Sequence, residues 1–303
     1  MTEGTRPVAS PSHRRGLALT SVGALLFTLD VPLLRLAAGD RWSMVAARGA
    51  LLALAIFIWW FVFHYLRGRR EPFINGGAGA VVAVTNTLAN IMFIAAVTMT
   101  TAANIVFILA LNPIFCAIFA WIVLKETMHP VVGASIALAM LGVLIIVWDG
   151  LATGTYIGDL LAVGVAVCTA IALTAVRYSG KNVIPSLAVG SFASAVIAYM
   201  FLAADPGGLS SDSWGWLALN GLIIMPLASG LIALGPLYIP AAEVALLFLL
   251  DTVFTPVWIW LIFGELPTRN ALIGGVIIFV TLALLAIWRI TTSRQRDHAV
   301  QQV

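Results

Sequence analysis

Residues 102–126 read AANIVFILALNPIFCAIFAWIVLKE, and residues 241–265 read AAEVALLFLLDTVFTPVWIWLIFGE. Each is long and apolar enough to cross about 30 Å of hydrocarbon as a helix. Aligned at a shift of 139 without a gap, they share Ala102/Ala241, Ala103/Ala242, Leu111/Leu250, Phe115/Phe254, Trp121/Trp260 and Glu126/Glu265. Apolar helices match by chance, so the agreement of both ends, Ala-Ala and Glu, is what marks a repeat. A second pair agrees. Residues 16–35 align with 158–177 at a shift of 142, sharing Gly16/Gly158, Leu19/Leu161, Ala24/Ala166 and Arg35/Arg177.

Working outward, ten such runs fill the chain, at about 16–37, 43–66, 76–98, 100–124, 130–148, 157–178, 185–203, 214–236, 239–263 and 270–290. Only Met-Thr-Thr at 99–101 parts the third from the fourth, so nine is the other count. Composition agrees with membrane helices. Apolar residues make up 61% and charged residues 10%, against about 25% charged in a soluble domain, too few for a water-facing surface. Unbroken runs favour helices over barrel strands, which alternate polar and apolar residues. The net charge of +3 suggests nucleic acid at first, but the basic residues sit in the links between runs, and nucleic acid is set aside. Arg14-Arg15 and the following run imitate a cleavable signal ending at Ala37-Ala38. Asp30 interrupts that run, which is read instead as the first span.

With the N-terminus in the cytoplasm, cytoplasmic segments hold twelve Lys and Arg and the opposite side holds four: Arg35, Arg41, Arg48 and Arg269. Cations are retained inside by anionic lipid and the membrane potential. Both termini are therefore expected in the cytoplasm, which requires an even number of spans. Trp42, Trp59, Trp60, Trp121, Trp148, Trp214, Trp216, Trp260 and Trp288 fall near run ends, where their amphipathic rings favour headgroup level.

The expected fold is all-α and polytopic, with ten transmembrane helices. Residues 1–15 form a disordered tail, 16–149 a first five-helix repeat, 150–290 a second, and 291–303 a cytoplasmic tail. Five is odd, so the second copy enters from the opposite face. Two inverted copies can exchange conformations, opening one side and then the other around a midplane site. A central cavity is expected between helices 1, 3, 4, 6, 8 and 9.

On these residues the chain resembles the EamA-type exporters of the drug/metabolite transporter superfamily, over about 16–290. In that pattern the fourth helix of each repeat has a small-residue start, a polar-Pro step and a terminal Glu. Ala102-Ala103, Asn112-Pro113 and Glu126 fit it, followed by Gly133 and Gly142. The second copy keeps Ala241-Ala242, Glu265 and Gly274-Gly275. It has Asp251-Thr252 at the step and its nearest proline at Pro256, which leaves the kink in the ninth helix open. The resemblance implies export of amino acids or related small metabolites across a bacterial inner membrane by alternating access. Within the group it points toward the aromatic-amino-acid exporters.

Polar residues inside the spans are the site candidates. Asp251 lies mid-span, where a carboxylate must face a cavity or a partner. It is expected to meet a substrate amine or a proton, the alternative being a bond to a neighbouring helix. Asn112 is its repeat mate, and Pro113 removes the helix partner of the Leu109 carbonyl. Asn86 and Asn90, one turn apart, and the aromatic rings Phe107 and Phe248 complete the substrate-binding set, with Phe27 and Phe115 weaker candidates. For the amides, bonds between helices are the competing role. Gating is expected from Asp30 with Arg48 on the outer side, from Asn104, and from Glu243 near the cytoplasmic end of the ninth helix. For Arg35 and Arg48 the alternative is snorkelling to headgroups, and for Glu243 contact with headgroups. Gly154 and Gly158 form GxxxG at a helix start and are read as a turn.

An enzyme fares worse. His13, His64, His129 and His298 all lie away from mid-membrane, and the chain has no HExxH, GxSxG or phosphate-binding Gly loop. Cys116 and Cys168 sit inside apolar runs without metal spacing. No cofactor and no metal are expected; the partners are a small-molecule substrate and the lipid bilayer, and the unit of function is a monomer.

Overall fold

The structure, a computed structural model, describes residues 13–67, 72–100, 108–125, 129–147, 156–264, 266 and 269–301. Among them every regular element is helical. Seven described stretches are long and apolar enough to cross a membrane: His13–Ala37, Trp42–Phe63, Gly76–Phe93, Tyr156–Ser179, Ile184–Phe201, Ser211–Leu237 and Ala241–Phe263. Asn112–Leu124, Pro130–Ile146 and Leu272–Trp288 are shorter apolar helices. His13–Arg15 are helical, and the last helix continues to Gln301, past the point where its apolar run ends.

Three spans are interrupted. In the first, α1 (His13–Phe27) gives way to α2 (Asp30–Ala37). Pro32 has no N–H to give the Thr28 carbonyl, and the Thr28 hydroxyl donates to the Leu25 carbonyl at 2.7 Å. After α3 (Arg41–Arg67) and α4 (Gly76–Met99), a turn at 110–111 precedes α5 (Asn112–Phe119), with Pro113 at its second residue. α6 (Pro130–Val147), α7 (Tyr156–Ser179), α8 (Ile184–Phe201), α9 (Ser211–Ala218) and α10 (Met225–Leu234) follow. The third interruption, at 248–249, parts α11 (Ala241–Leu247) from α12 (Leu250–Phe263). Pro256 does not make it. The backbone tightens instead, Leu249 donating to Leu246 and Asp251 to Phe248, each at 3.0 Å and three residues back. The ninth-span break thus lies just before Asp251. The last helix is α13 (Arg269–Gln301).

Two further irregularities matter. α5 and α9 each run on into a π-helical turn, Ala120–Leu124 and Leu219–Ile224, which rotates the following side chains. Lys125 and Gly264 both end their helices in the left-handed region, at φ 55° and 71°. That conformation suits Gly264 and is strained for Lys125.

Small residues let the helices approach closely, as membrane packing requires. α4 packs on α7 and α8, α3 on α8, α1 on α10, α5 on α11 and α7, and α6 on α13. A Cβ on Gly190 would sit 2.6 Å from the Ala83 carbonyl, and one on Gly49 would sit 2.8 Å from that of Ser191. Gly158 lies against Met99 and Thr100, so it serves a helix contact rather than the turn expected of it. Phe57, Trp59, Phe61 and Phe63 of α3 stay exposed, as a lipid-facing surface allows.

At the α6–α13 crossing, Gly142 and Gly274 abut backbone to backbone, and a Cβ on Gly142 would lie 2.8 Å from the Gly274 carbonyl. Gly274→Val is expected to cost about 2 kcal/mol or more through overpacking. Gly275→Ala, whose new carbon meets Val253 at an ordinary 3.8 Å, should be neutral. Thermal unfolding of the two variants in detergent checks this.

Candidate functional site

The interrupted first and ninth spans meet at their breaks. Thr255, one turn beyond Asp251 on α12, donates to the Asp251 carboxylate at 2.6 Å and reaches the Thr28 carbonyl at 3.3 Å. Trp258 Nε1 donates to the Thr28 hydroxyl at 2.8 Å. The one Thr255 proton, nearer the carboxylate, is thus shared with the carbonyl that Pro32 leaves without a helix donor. At the same crossing Phe27 stands edge-on to Phe248, ring centres 5.6 Å apart.

A second cluster begins two residues further along the first span. Arg48 Nη2 donates to Asp30 at 2.7 Å, and Arg48 Nε donates to the Asn220 amide oxygen at 3.1 Å. Asn220 Nδ2 then donates to the other Asp30 oxygen at 2.8 Å. The ring of contacts joins α2, α3 and the π turn after α9. Asp30 is 5% exposed and Asn220 fully buried, so Arg48 turns inward and does not snorkel. Arg35, by contrast, lies over the Phe263 ring at 4.6 Å.

At the end of the molecule that holds His13, Glu243 is 1% exposed and 3.4 Å from His13 Nε2, an ion-pair distance when the imidazole is protonated. It faces protein rather than headgroups. Every residue of α11 is buried, packed with Leu17, Ala170, Leu173 and Ile239.

The expected substrate-binding residues separate. Asn86 spends its amide nitrogen on the Leu187 carbonyl and the Ser191 hydroxyl of α8, at 3.3 and 3.2 Å, the interhelical role. Asn90, half-buried, makes no such bond among the described residues. Asn112 is buried at the start of α5 and accepts from Cys116 Sγ at 3.3 Å. Phe107 and Asn104 lie outside the described residues, as do Glu126 and Glu265.

The EamA-like transporter family model matches residues 14–148 and again 156–287, most of the chain. The chain belongs to that family. A crystal structure of a protein 14% identical in sequence superposes with a TM-score of 0.77, covering 91% of this chain and 99% of the other; at that identity the likeness speaks for the fold alone. No curated protein matches this chain in sequence. The EamA-like chain is thus a multi-pass membrane protein and a small-molecule transporter of the drug/metabolite superfamily, with lipid as its surroundings. Neither match singles out the aromatic-amino-acid exporters.

In this EamA-like transporter a cavity of about 640 Å³ opens between residues 38–43 and 202–213. Asp40, Ser43, Asp205, Ser210 and Ser213 are among its walls. None of the expected site residues lines it, so it is not the central cavity read from the sequence; at the crossing, Leu246, Leu249 and Leu250 are buried. Sequence reasoning missed Asn220, Thr28, Thr255 and Trp258. Asn220 did carry a signal, a single amide inside the apolar run 214–236. The threonines carried none, because hydroxyls in membrane helices usually bond their own backbone.

Arg48→Ala should leave Asp30 buried without its cation and cost about 3 kcal/mol or more. Arg48→Gln with Asp30→Asn should regain much of that loss. Melting temperatures of the single and double variants check it. Equal stability of all of them would return Arg48 to the headgroups.

Proposed function

We propose that the protein exports amino acids or related small metabolites across a bacterial inner membrane. It does so by alternating access of two inverted five-helix repeats, residues 16–149 and 150–290, which make ten transmembrane helices with both termini cytoplasmic. The observation that carries the reading is the pair of helix breaks at 110–111 and 248–249, close to the 139-residue shift that relates the repeat sequences. Broken helices at corresponding positions are where secondary transporters build their binding sites.

Other correspondences support the same reading. Lys125 and Gly264, the left-handed caps, are 139 apart. Gly16 and Gly158, 142 apart, press against Tyr238–Ile239 and Met99–Thr100, which are themselves 139 apart. The packing of α4 on α7 is answered by that of α1 on α10, as a two-fold relation between the copies requires.

Asn112 and Asp251 open the half-helices α5 and α12 and are the core of the proposed site, with Phe248 three residues before Asp251 and with Asn90 and Phe107 added from the sequence. Asn86 holds α4 to α8. The Asp30–Arg48 pair closes the outer side. Glu243 closes the cytoplasmic end, and Asn104 is a further gating residue by its place in the sequence. The unit of function is a monomer.

Purified protein in liposomes should exchange labelled amino acids in a counterflow panel run at two pH values. Asp251→Asn and Asn112→Ala should each slow the flux by about tenfold or more, the loss of one charged or buried polar contact. Normal flux in both variants would remove the site assignment. A lipid-modifying activity with no flux of any solute would favour a membrane enzyme instead.

A further inference from the structure

The charges buried along the spans do not cancel. Arg48 is the only Lys or Arg more than a few residues inside any apolar run, and it is spent. Its guanidinium is shared between Asp30 and Asn220, and both Asp30 oxygens are taken by those two partners. The pair is neutral as a unit. Asp251 has no cation among the described residues, and its one side-chain bond comes from Thr255. It is half-buried. The segment 101–107, which runs up to the break before α5, is Thr-Ala-Ala-Asn-Ile-Val-Phe and brings no charge. His13 lies at the other cluster, with Glu243.

An isolated carboxylate within a membrane span is costly unless a cation meets it. The amine of a solute can supply that cation. A solute carboxylate would find no Lys or Arg beside Asp251 among the described residues, and the acid at the start of α12 opposes anion binding there. Phe248, three residues before Asp251 and edge-on to Phe27, adds an aromatic ring at the same crossing.

From this imbalance we propose that the site takes solutes of net positive charge, amines and amino acids with a cationic side chain, ahead of zwitterions and anions. Asp251 is the group that recognises the amine. This rests on the transporter reading above and narrows its solute.

The test is counterflow in proteoliposomes with four labelled probes: lysine, Nε-acetyl-lysine, cadaverine and glutamate. Lysine and cadaverine should move about 10- to 100-fold faster than the other two, the worth of one charged hydrogen bond. Asp251→Asn should collapse the ratio, and Asp251→Glu should keep most of it. A variant that fails to fold is bypassed in the wild type. Cadaverine and lysine, but not acetyl-lysine, should protect Asp251 from modification by a hydrophobic carbodiimide, read by mass spectrometry.

Equal flux of lysine and acetyl-lysine, a ratio that survives Asp251→Asn, or equal protection by both would overturn the charge selection while leaving the transporter reading standing. No flux of these probes or of any solute in the wider panel would take down both.

Discussion

A carbonyl, amide or carboxylate left bare in hydrocarbon costs several kcal/mol, of order 2–7 for a neutral group and more for a charged one. That constraint organises this protein. An uninterrupted helix satisfies its own backbone and needs no neighbour. Once Pro32 deprives the Thr28 carbonyl of its helix donor, the first span needs a partner, and Thr255 of α12 stands over it, its one proton shared with Asp251. Trp258 then occupies the Thr28 hydroxyl from the same helix. Two interrupted spans are in this way held against each other at the depth where each is weakest. Thr28, Asp251, Thr255 and Trp258 are gathered there.

The same constraint explains the placement of charge. Asp30 is tolerable only because Arg48 and Asn220 cap both of its oxygens, and Asn220 reaches it from a π turn that turns the amide inward. Glu243 is buried beside His13 at the far end of the packed core. Between these two clusters lies Asp251, with a hydroxyl for company and no cation among the described residues. The repeat-related position holds Asn112, a neutral amide tied to Cys116. The two half-helices begin alike in place, and only the second begins with an acid.

Much of this could be read before any coordinates. Long apolar runs with few charges admit only membrane helices, since nothing else satisfies the backbone there. The repeat showed in Ala102-Ala103 and Ala241-Ala242, while two opposite charges at like depth left a partnership of Asp30 with Arg48 open beside snorkelling of the arginine. For Asn86 the sequence left a substrate contact and a bond between helices both open, and α8 comes close enough through Gly190 for the amide to bond across.

What the residues alone determined is a matter of counting along one chain: which stretches lie in lipid, which acids and amides lie within them, and how one half echoes the other. Tertiary structure decided everything that depends on a second helix. Thr28 and Thr255 look unremarkable in order, and Asn220 shows only as a lone amide, because the partners lie 227 residues apart for Thr255 with Thr28 and 190 for Asn220 with Asp30. A polar side chain in hydrocarbon has to find a partner, and only the packing of small residues says which helix will be close enough to be that partner.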